Sequence, residues 1–151
     1  MKNYQKILCA TDFSSHCRAA AERAVEMARL YGAQLTLLHV VEYFPEDRSN
    51  QEIAKEDSDP AAYRNEHAHT LLAQLAQDLG CKAAYLKVIF STRSARHGII
   101  GFAEEHSIDL IVIATHGRHG IANILGSTAY GLMHRAPCDV LAVRARAATA
   151  A

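Results

Sequence analysis

Short, almost wholly apolar runs alternate with amphipathic segments along this chain, and that alternation constrains the fold more than any other feature. The apolar runs predict strands at 7–11, 34–41, 83–90, 110–114 and 137–143, and the segments between them predict helices at 15–31, 60–79, 94–106 and 127–135. Strands that are apolar on both faces are typical of parallel sheets covered by helices on both sides. The order of the elements therefore predicts a doubly wound α/β domain built on a parallel sheet.

The spacing of apolar residues indicates which helix faces are buried. The predicted buried positions are Ala20, Ala24, Met27, Ala28 and Leu30 in the first helix and Leu71, Leu72, Leu75 and Leu79 in the second. Gly32 and Gly80 suit the ends of these two helices. Gly98 and Gly101 weaken the third helix, because glycine is a poor helix former.

Length and composition predict one soluble domain. We assign residues 1–144 to that domain and 145–151 to a frayed tail. Sixteen basic and sixteen acidic side chains balance, so bulk charge gives no reason to expect nucleic acid or an anionic membrane as partner. The chain shows no signal-peptide pattern and no apolar run of transmembrane length, which predicts a cytoplasmic protein. Four scattered cysteines without a CxxC pair predict free thiols.

The segment 42–59 differs in character from the rest, because acidic residues outnumber basic ones and prolines flank it. A solvated surface excursion is the simpler interpretation. A lid over a binding site is the alternative, and the sequence leaves both open.

Two polar loops predict the position of a binding site. The loop after the first strand contains Thr11, Asp12 and Ser14, and the loop after the fourth contains Thr115 and the glycine-rich run 116–120. Open α/β sheets bind ligands beyond the carboxyl ends of their strands, where the strand order reverses. With a strand order of 3-2-1-4-5, both loops meet at that point. Glycines and a following helix N-terminus are typical of phosphate sites.

Four blocks of the chain resemble the universal stress protein family: 7–14 (ILCATDFS), 37–41 (LLHVV), 109–120 (DLIVIATHGRHG) and 125–141 (LGST to APCDVL). The resemblance implies a Rossmann-like sheet of the adenine-nucleotide α-hydrolase type, with strand order 3-2-1-4-5. It also implies a homodimer joined through the last strand, 139–143, and a regulatory role in stress through protein partners that the sequence does not identify.

Some members of that family bind ATP through a motif that this chain resembles with one departure. The motif G-x2-G-x9-G-[S/T] holds ribose and phosphates, whereas only five residues separate Gly120 from Gly126 here. An Asp after the first strand and backbone at the end of the second contact adenine in those members. The resemblance and the loop positions together predict ATP as ligand, with Mg²⁺ on its phosphates. The predicted nucleotide-binding residues are Thr11, Asp12, Val40, Thr115, Gly117, Arg118, His119, Gly120, Gly126, Ser127 and Thr128.

Several of these residues have a simpler interpretation. Asp12 also suits a helix N-cap, and Arg118 also suits an ordinary surface position. His116 and His119 lack a third ligand nearby in sequence, so no metal site is predicted. His39 is interpreted as a hydrogen-bonded core residue. His67 and His69 are interpreted as surface residues.

The sequence predicts no catalytic residue. It contains neither a P-loop GxxxxGK[S/T] nor a G-x-S-x-G elbow, so any ATP hydrolysis should be slow and incidental. Three function classes remain open: a nucleotide-binding regulatory protein, a dimeric stress protein that binds no nucleotide and acts through protein contacts, and an ATP-using enzyme. The first is preferred.

Overall fold

The computed structural model describes residues 3–43, 60–116 and 125–146. The predicted site residues Gly117, Arg118, His119 and Gly120 lie outside the described residues, as do nearly all of the acidic segment 42–59 and most of the predicted tail. Among the described residues, no helix combines the length and the hydrophobicity that crossing a membrane requires.

Five strands and four helices alternate along the chain. The strands are β1 (Lys6–Ala10), β2 (Gln34–Glu42), β3 (Tyr85–Ser91), β4 (Leu110–Ala114) and β5 (Asp139–Val143). The helices are α1 (Ser15–Tyr31), α2 (Pro60–Asp78), α3 (Ala95–Glu105) and α4 (Ser127–Arg135). The predicted element order is confirmed.

All neighbouring strands are parallel, and their order in the sheet is β3-β2-β1-β4-β5. The central strand β1 pairs with β2 on one side and with β4 on the other, with Ile7 opposite both Leu35 and Leu110. The chain therefore moves outward in one direction through β2 and β3, then returns and moves in the other through β4 and β5. The connections after β1 and β4 diverge at that reversal, as predicted.

Helices cover both faces of the sheet and enclose two hydrophobic cores. On one face α1 and α2 pack against β-strand residues such as Ile7, Leu37 and Val112. On the other face α3 and α4 pack against the alternate residues, among them Leu8, Leu38 and Ile111. The strands are buried from both sides, which explains why their sequences are continuously apolar.

Of the residues predicted to be buried in α1, the alanines Ala20, Ala24 and Ala28 are buried, Met27 is half-buried, and Leu30 is 75% exposed. The buried residues of α1 recur at intervals of three and four: Cys17, Ala20, Ala21, Ala24, Val25 and Ala28. Leu30 lies two positions after Ala28, which turns it by about 200° to the opposite side of the helix. Gly32 ends α1 in the left-handed conformation with φ of 63°.

Helix α2 is less buried than its leucines predict. Only Leu72 is fully buried, while Leu71, Leu75 and Leu79 are half-buried. The helix packs over β2 and the edge strand β3. Because the sheet ends at β3, it covers only one side of α2.

Strand β3 begins at Tyr85, two residues later than predicted, because the backbone N–H of Ala84 closes a turn on the carbonyl of Cys81 at 3.0 Å. Strand β5 begins at Asp139 instead of Pro137, since proline has no N–H to donate to the ladder.

Helix α3 forms despite its two glycines, and Gly98 has a packing role. A Cβ atom at Gly98 would lie 2.9 Å from Cγ1 of Val40. A Cβ at Gly101 would meet nothing within 4 Å. Gly98 therefore lets α3 approach the end of β2 closely, whereas Gly101 serves no such contact.

The four cysteines are free thiols, as predicted. Cys9 and Cys17 are buried, and Cys81 and Cys138 are half-buried. In each case burial is the largest cause that raises the pKa of the thiol.

Candidate functional site

A cleft of about 340 Å³ opens at the carboxyl ends of β1 and β4, where the chain diverges. Its volume lies at the lower end of the range for small-molecule sites, roughly 300–1,000 Å³. Seven predicted site residues and their neighbours line it. The lining comprises Ala10, Thr11, Asp12, Cys17, His39, Val40, Glu42, Ala95, Ile99, Ile113, Ala114, Thr115, His116, Gly126, Ser127, Thr128 and Ala129.

The loop after β1 holds the Asp12 carboxylate in a fixed orientation. Its Oδ1 accepts hydrogen bonds from the backbone N–H of Ser14 at 2.8 Å and from the Cys17 thiol at 3.0 Å. The N-cap of α1 is Ser14, without a side-chain cap bond, so Asp12 is not the N-cap residue. Asp12 instead presents a hydrogen-bond acceptor at the cleft wall.

Phe13 makes the sharp turn that leads from β1 into α1. Its φ of 65° is left-handed, an uncommon and strained conformation for a bulky residue. Its ring lies against His39, with 4.6 Å between the ring centroids. The backbone N–H of Phe13 donates to Thr11 Oγ1 at 3.0 Å, which closes the turn.

Strand β2 extends beyond the end of β1 and exposes backbone groups to the cleft. The last pair between the two strands is Ala10 with Leu38, whose carbonyl accepts the N–H of Thr11 at 2.9 Å. Because alternate residues of a strand point to opposite neighbours, the N–H and C=O of Val40 also point to the β1 side. There β1 has already ended, so the peptide groups of Val40 face the cleft.

His39 was predicted as a hydrogen-bonded core residue, and its hydrogen bond is confirmed. Its Nδ1 lies 2.7 Å from the carbonyl of Thr11. A carbonyl can only accept, so Nδ1 carries the proton. The residue is half-buried, however, and forms part of the cleft wall. The interpretation as a purely core residue was incomplete because β2 continues past its neighbour β1.

The beginning of α4 forms the opposite wall. The backbone N–H of Gly126 donates to the carbonyl of Thr115 at 2.7 Å, which ties the helix start to the end of β4. Thr115 itself donates its N–H to Val143 of β5 at 3.0 Å. Ser127 and Thr128 occupy the first turn of α4 and line the cleft. Their hydroxyls and the free N–H groups of that turn are suitable donors for an anion.

His116 lies beside this wall with one ring nitrogen unsatisfied. Its Nδ1 is 2.8 Å from Thr115 Oγ1, whereas its Nε2 is buried without a hydrogen-bond partner. The ring of His16 in α1 lies 6.1 Å away between centroids. The described residues contain no group of three potential metal ligands, and His119 lies outside them.

The sequence did not identify three residues at the far end of the cleft. Glu42 was interpreted as the start of a surface excursion, but it is the last residue of β2. Its Oε1 accepts the N–H of Ala95 at 3.2 Å at the beginning of α3. Ala95 and Ile99 of that helix complete the wall. Only the strand order, which places α3 beside β2, brings these residues to the site.

The structure thus brings together Thr11, Asp12, Val40, Thr115 and 126–128 from four separate parts of the chain. His67 and His69 are exposed on α2, as predicted.

The chain matches the model of the universal stress protein family over residues 3–144. Two relatives from Coxiella burnetii are similar over nearly their whole lengths. Universal stress protein A homolog 1 is 32% identical, with 93% of this chain and 96% of the relative covered. Universal stress protein A homolog 2 is 34% identical, with 95% of this chain and 97% of the relative covered.

Solved structures show the same fold. Universal stress protein UspA from Lactobacillus plantarum superposes with a TM-score of 0.75 at 30% identity, covering 95% of this chain and 100% of that protein. More distant in sequence is a universal stress protein in complex with cAMP, with TM-score 0.67, 23% identity and coverage of 95% and 98%. Another, from Archaeoglobus fulgidus in complex with dAMP, has TM-score 0.62, 20% identity and coverage of 93% and 98%. The family match, these relatives and the shared fold establish that the chain belongs to the universal stress protein family.

Proposed function

We propose that this protein is a cytoplasmic stress-response regulator that binds ATP, or a related adenine nucleotide, in the cleft between β1 and β4. The observation that carries the proposal is the convergence of Asp12, the peptide groups of Val40 and the first turn of α4 on one cleft. Two universal stress proteins of the same fold have been solved with the adenine nucleotides cAMP and dAMP. Four free thiols fit a reducing compartment.

Each wall of the cleft complements a different part of a nucleotide. The Asp12 carboxylate can accept from the exocyclic amino group of adenine, and the N–H and C=O of Val40 offer one donor and one acceptor to the edge of the base. Ser127, Thr128 and the helix N-terminus offer donors to phosphate oxygens. The predicted contacts from Gly117, Arg118, His119 and Gly120 form part of this proposal. Mg²⁺, if bound, is held through the phosphates.

The proposal does not include catalysis. Activation of water for attack on a phosphate needs a positioned general base. Two carboxylates line the cleft among the described residues: the Oε1 of Glu42 accepts from Ala95, and the Oδ1 of Asp12 accepts from Ser14 and Cys17. We therefore assign Asp12 to recognition. Protein partners read the occupied state of the domain, and a homodimer joined through β5 is part of the proposal.

Calorimetric titration with ATP and Mg²⁺ tests this function. We expect saturable binding below millimolar ATP. Asp12→Asn should weaken it about tenfold to a hundredfold, because a hydrogen bond to a charged group contributes about 1.5–3 kcal/mol. Asp78→Asn, the same change on the outer surface of α2, should leave affinity unchanged.

The nucleotide-free alternative is favoured by one feature of the sequence, the five residues between Gly120 and Gly126. If no saturable binding occurs at millimolar ATP, the protein acts through protein contacts alone. Sustained ATP turnover that Ser127→Ala abolishes would instead establish an enzyme.

A further inference from the structure

Helices α3 and α4 pack side by side on one face of the sheet, and both present polar side chains on their outer sides. Ile99 and Phe102 of α3 meet Ala129 and Leu132 of α4 in the core beneath. Above that core, both helices turn other residues outward. We call this the α3–α4 surface, and it consists of Arg96 and His97 of α3, Tyr130 and Arg135 of α4, and Arg93, which precedes α3.

Arg96 lies across α4 at a position where that helix has no side chain. A Cβ atom at Gly131 would lie 2.6 Å from Cδ and 3.2 Å from an Nη atom of Arg96. The missing side chain therefore creates the space in which the arginine stem rests. Arg135 follows Gly131 by one helical turn, so it projects from the same side of α4. The two guanidinium groups thus come from different helices onto one surface.

The arginines of this surface form no ion pair within the described part of the chain. Among the described residues, the ion pairs involve Arg18 and Arg23 of α1 and none of Arg93, Arg96 or Arg135. Desolvation and the charges of these three arginines lower the pKa of His97, which is consistent with their closeness. A cluster of cations without partners is costly to hold together and gains from an anionic partner.

An aromatic side chain accompanies the arginines. Tyr130 of α4 is 57% exposed, and its ring contacts His134 with 4.5 Å between centroids. Tyrosine and arginine are enriched in protein–protein interfaces and recur among their energetic hot spots. The composition of the surface therefore matches a protein-binding site.

We propose that the α3–α4 surface binds an acidic segment of a partner protein, with Arg96 and Arg135 pairing its carboxylates and Tyr130 packing against its backbone and apolar side chains. The planar guanidinium group matches a carboxylate with two parallel hydrogen bonds. A nucleic acid is disfavoured, because acidic and basic side chains balance to a net charge of zero over the whole chain. The proposal does not depend on nucleotide binding.

Fluorescence anisotropy with a fluorescein-labelled poly-glutamate peptide at low ionic strength tests the surface in the full chain. The double variant Arg96→Gln/Arg135→Gln should weaken binding about tenfold, the combined effect of two charge pairs of ordinary surface strength. Arg18→Gln/Arg23→Gln removes the same charge from α1 and should change affinity less than about twofold. Equal losses in both variants would overturn the proposal.

Gly131→Ala provides a second variant that keeps every charge. The added methyl group occupies the space of the Arg96 stem and displaces its guanidinium. We expect about threefold weaker peptide binding together with an unchanged or higher melting temperature, because alanine is a better helix former than glycine. Unaltered peptide affinity would contradict the role of Arg96.

Two further outcomes count against the proposal. Oligo-dT that binds as tightly as the peptide, with the same dependence on Arg96 and Arg135, would identify a phosphate-binding surface instead. A change of oligomeric state in the Arg96→Gln/Arg135→Gln variant, measured by sedimentation, would identify the occupant as a second copy of the chain.

Discussion

Gly98 and Gly101 occupy the same helix, yet only Gly98 lies against a neighbouring side chain. Its Cα faces Val40, the residue whose peptide groups open into the cleft. The distance of 2.9 Å that a methyl group would have to Val40 is shorter than van der Waals contact allows. Because valine is stiff at χ1, relief would require movement of α3 or of the end of β2.

This difference predicts that replacing glycine by alanine has opposite effects on the free energy of unfolding at Gly98 and at Gly101. Gly101→Ala should raise the free energy of unfolding by about 0.5–1 kcal/mol, because the helix interior favours alanine. Gly98→Ala should lower it by about 1 kcal/mol, since overpacking costs about 1–3 kcal/mol and exceeds the gain in helix propensity. Urea denaturation measures both. Equal stabilisation by the two variants would show that α3 does not press on Val40.

Some single residues could not be interpreted from sequence because their roles depend on distant elements. Asp12 serves as an acceptor held by Ser14 and Cys17, and not as the helix cap that its position also suits. Glu42 meets Ala95 across 53 positions of sequence. Leu30 breaks the pattern of its helix, since one apolar residue at the end of a helix carries too little periodicity to fix its face.

At the scale of elements, β5 is the strand whose outer edge matters most for assembly. It pairs with β4 on one side and lies at the end of the sheet. The carbonyl of Val143 accepts from Thr115 of the β4 side, so by alternation the N–H of Ala142 points outward. An outward row of peptide groups on an apolar strand is a template for pairing with another chain.

The proposed homodimer can be tested at that outward group. Ala142→Pro removes an N–H that β4 does not use, so the domain should stay folded while the dimer dissociates to monomers in sedimentation equilibrium. Ala145→Pro, placed beyond the end of β5, is the control and should remain dimeric. An intact protein that sediments as a monomer at micromolar concentration, or a dimer that survives Ala142→Pro, would refute pairing through β5.

The first and last residues of a helix or strand were predictable where the flanking residues and the apolar pattern indicate the same bounds. Helix α1, strand β4 and helix α4 begin and end at the predicted residues, because polar or glycine residues flank continuous apolar patterns there. At the sheet edges the patterns are weaker. Strand β3 is only partly covered, and the alanines before it suit a strand and a turn equally.

At the scale of the whole molecule, buried thiols cause the free energy of unfolding to fall as pH rises in the alkaline range. Burial raises the pKa of Cys9 and Cys17 in the folded state above the ordinary thiol value of about 8.5. The hydrogen bond to Asp139 raises the pKa of Tyr4 as well. Between the pKa values of these groups in the unfolded chain and their higher values in the folded chain, the unfolded chain releases protons that the folded chain retains. The stabilisation from these groups is therefore complete below that pH range and is lost as pH rises through it.

We expect the urea midpoint, measured under reducing conditions, to fall as pH rises above about 8.5. Cys9→Ala should lower the midpoint at neutral pH, because it removes a buried sulfur from the core. The same substitution should also reduce the fall of the midpoint between neutral and alkaline pH. A midpoint that stays constant or rises over the same range would contradict the assignment of these thiols to a protonated core.

The topology of the whole molecule was predictable from the sequence, whereas the full set of residues that line the cleft was not. The alternation of elements and the family resemblance gave the strand order, and that order placed 11–12 opposite 126–128. The contribution of α3 to the cleft depends on the close approach at Gly98 and on the extension of β2 past β1. Neither leaves a local sequence signal, since both arise from packing between elements.

Chemical-shift mapping of the ¹⁵N-labelled protein during titration with ATP and Mg²⁺ tests the central claim most directly. We predict the largest amide shifts at Asp12, Val40 and Ser127, three residues that only the folded cleft brings together. The amides of His67 and His69 on the exposed side of α2 should stay unchanged. Shifts that are absent at millimolar ATP, or that fall on the α3–α4 surface and spare these three residues, would contradict the assignment of the cleft to an adenine nucleotide.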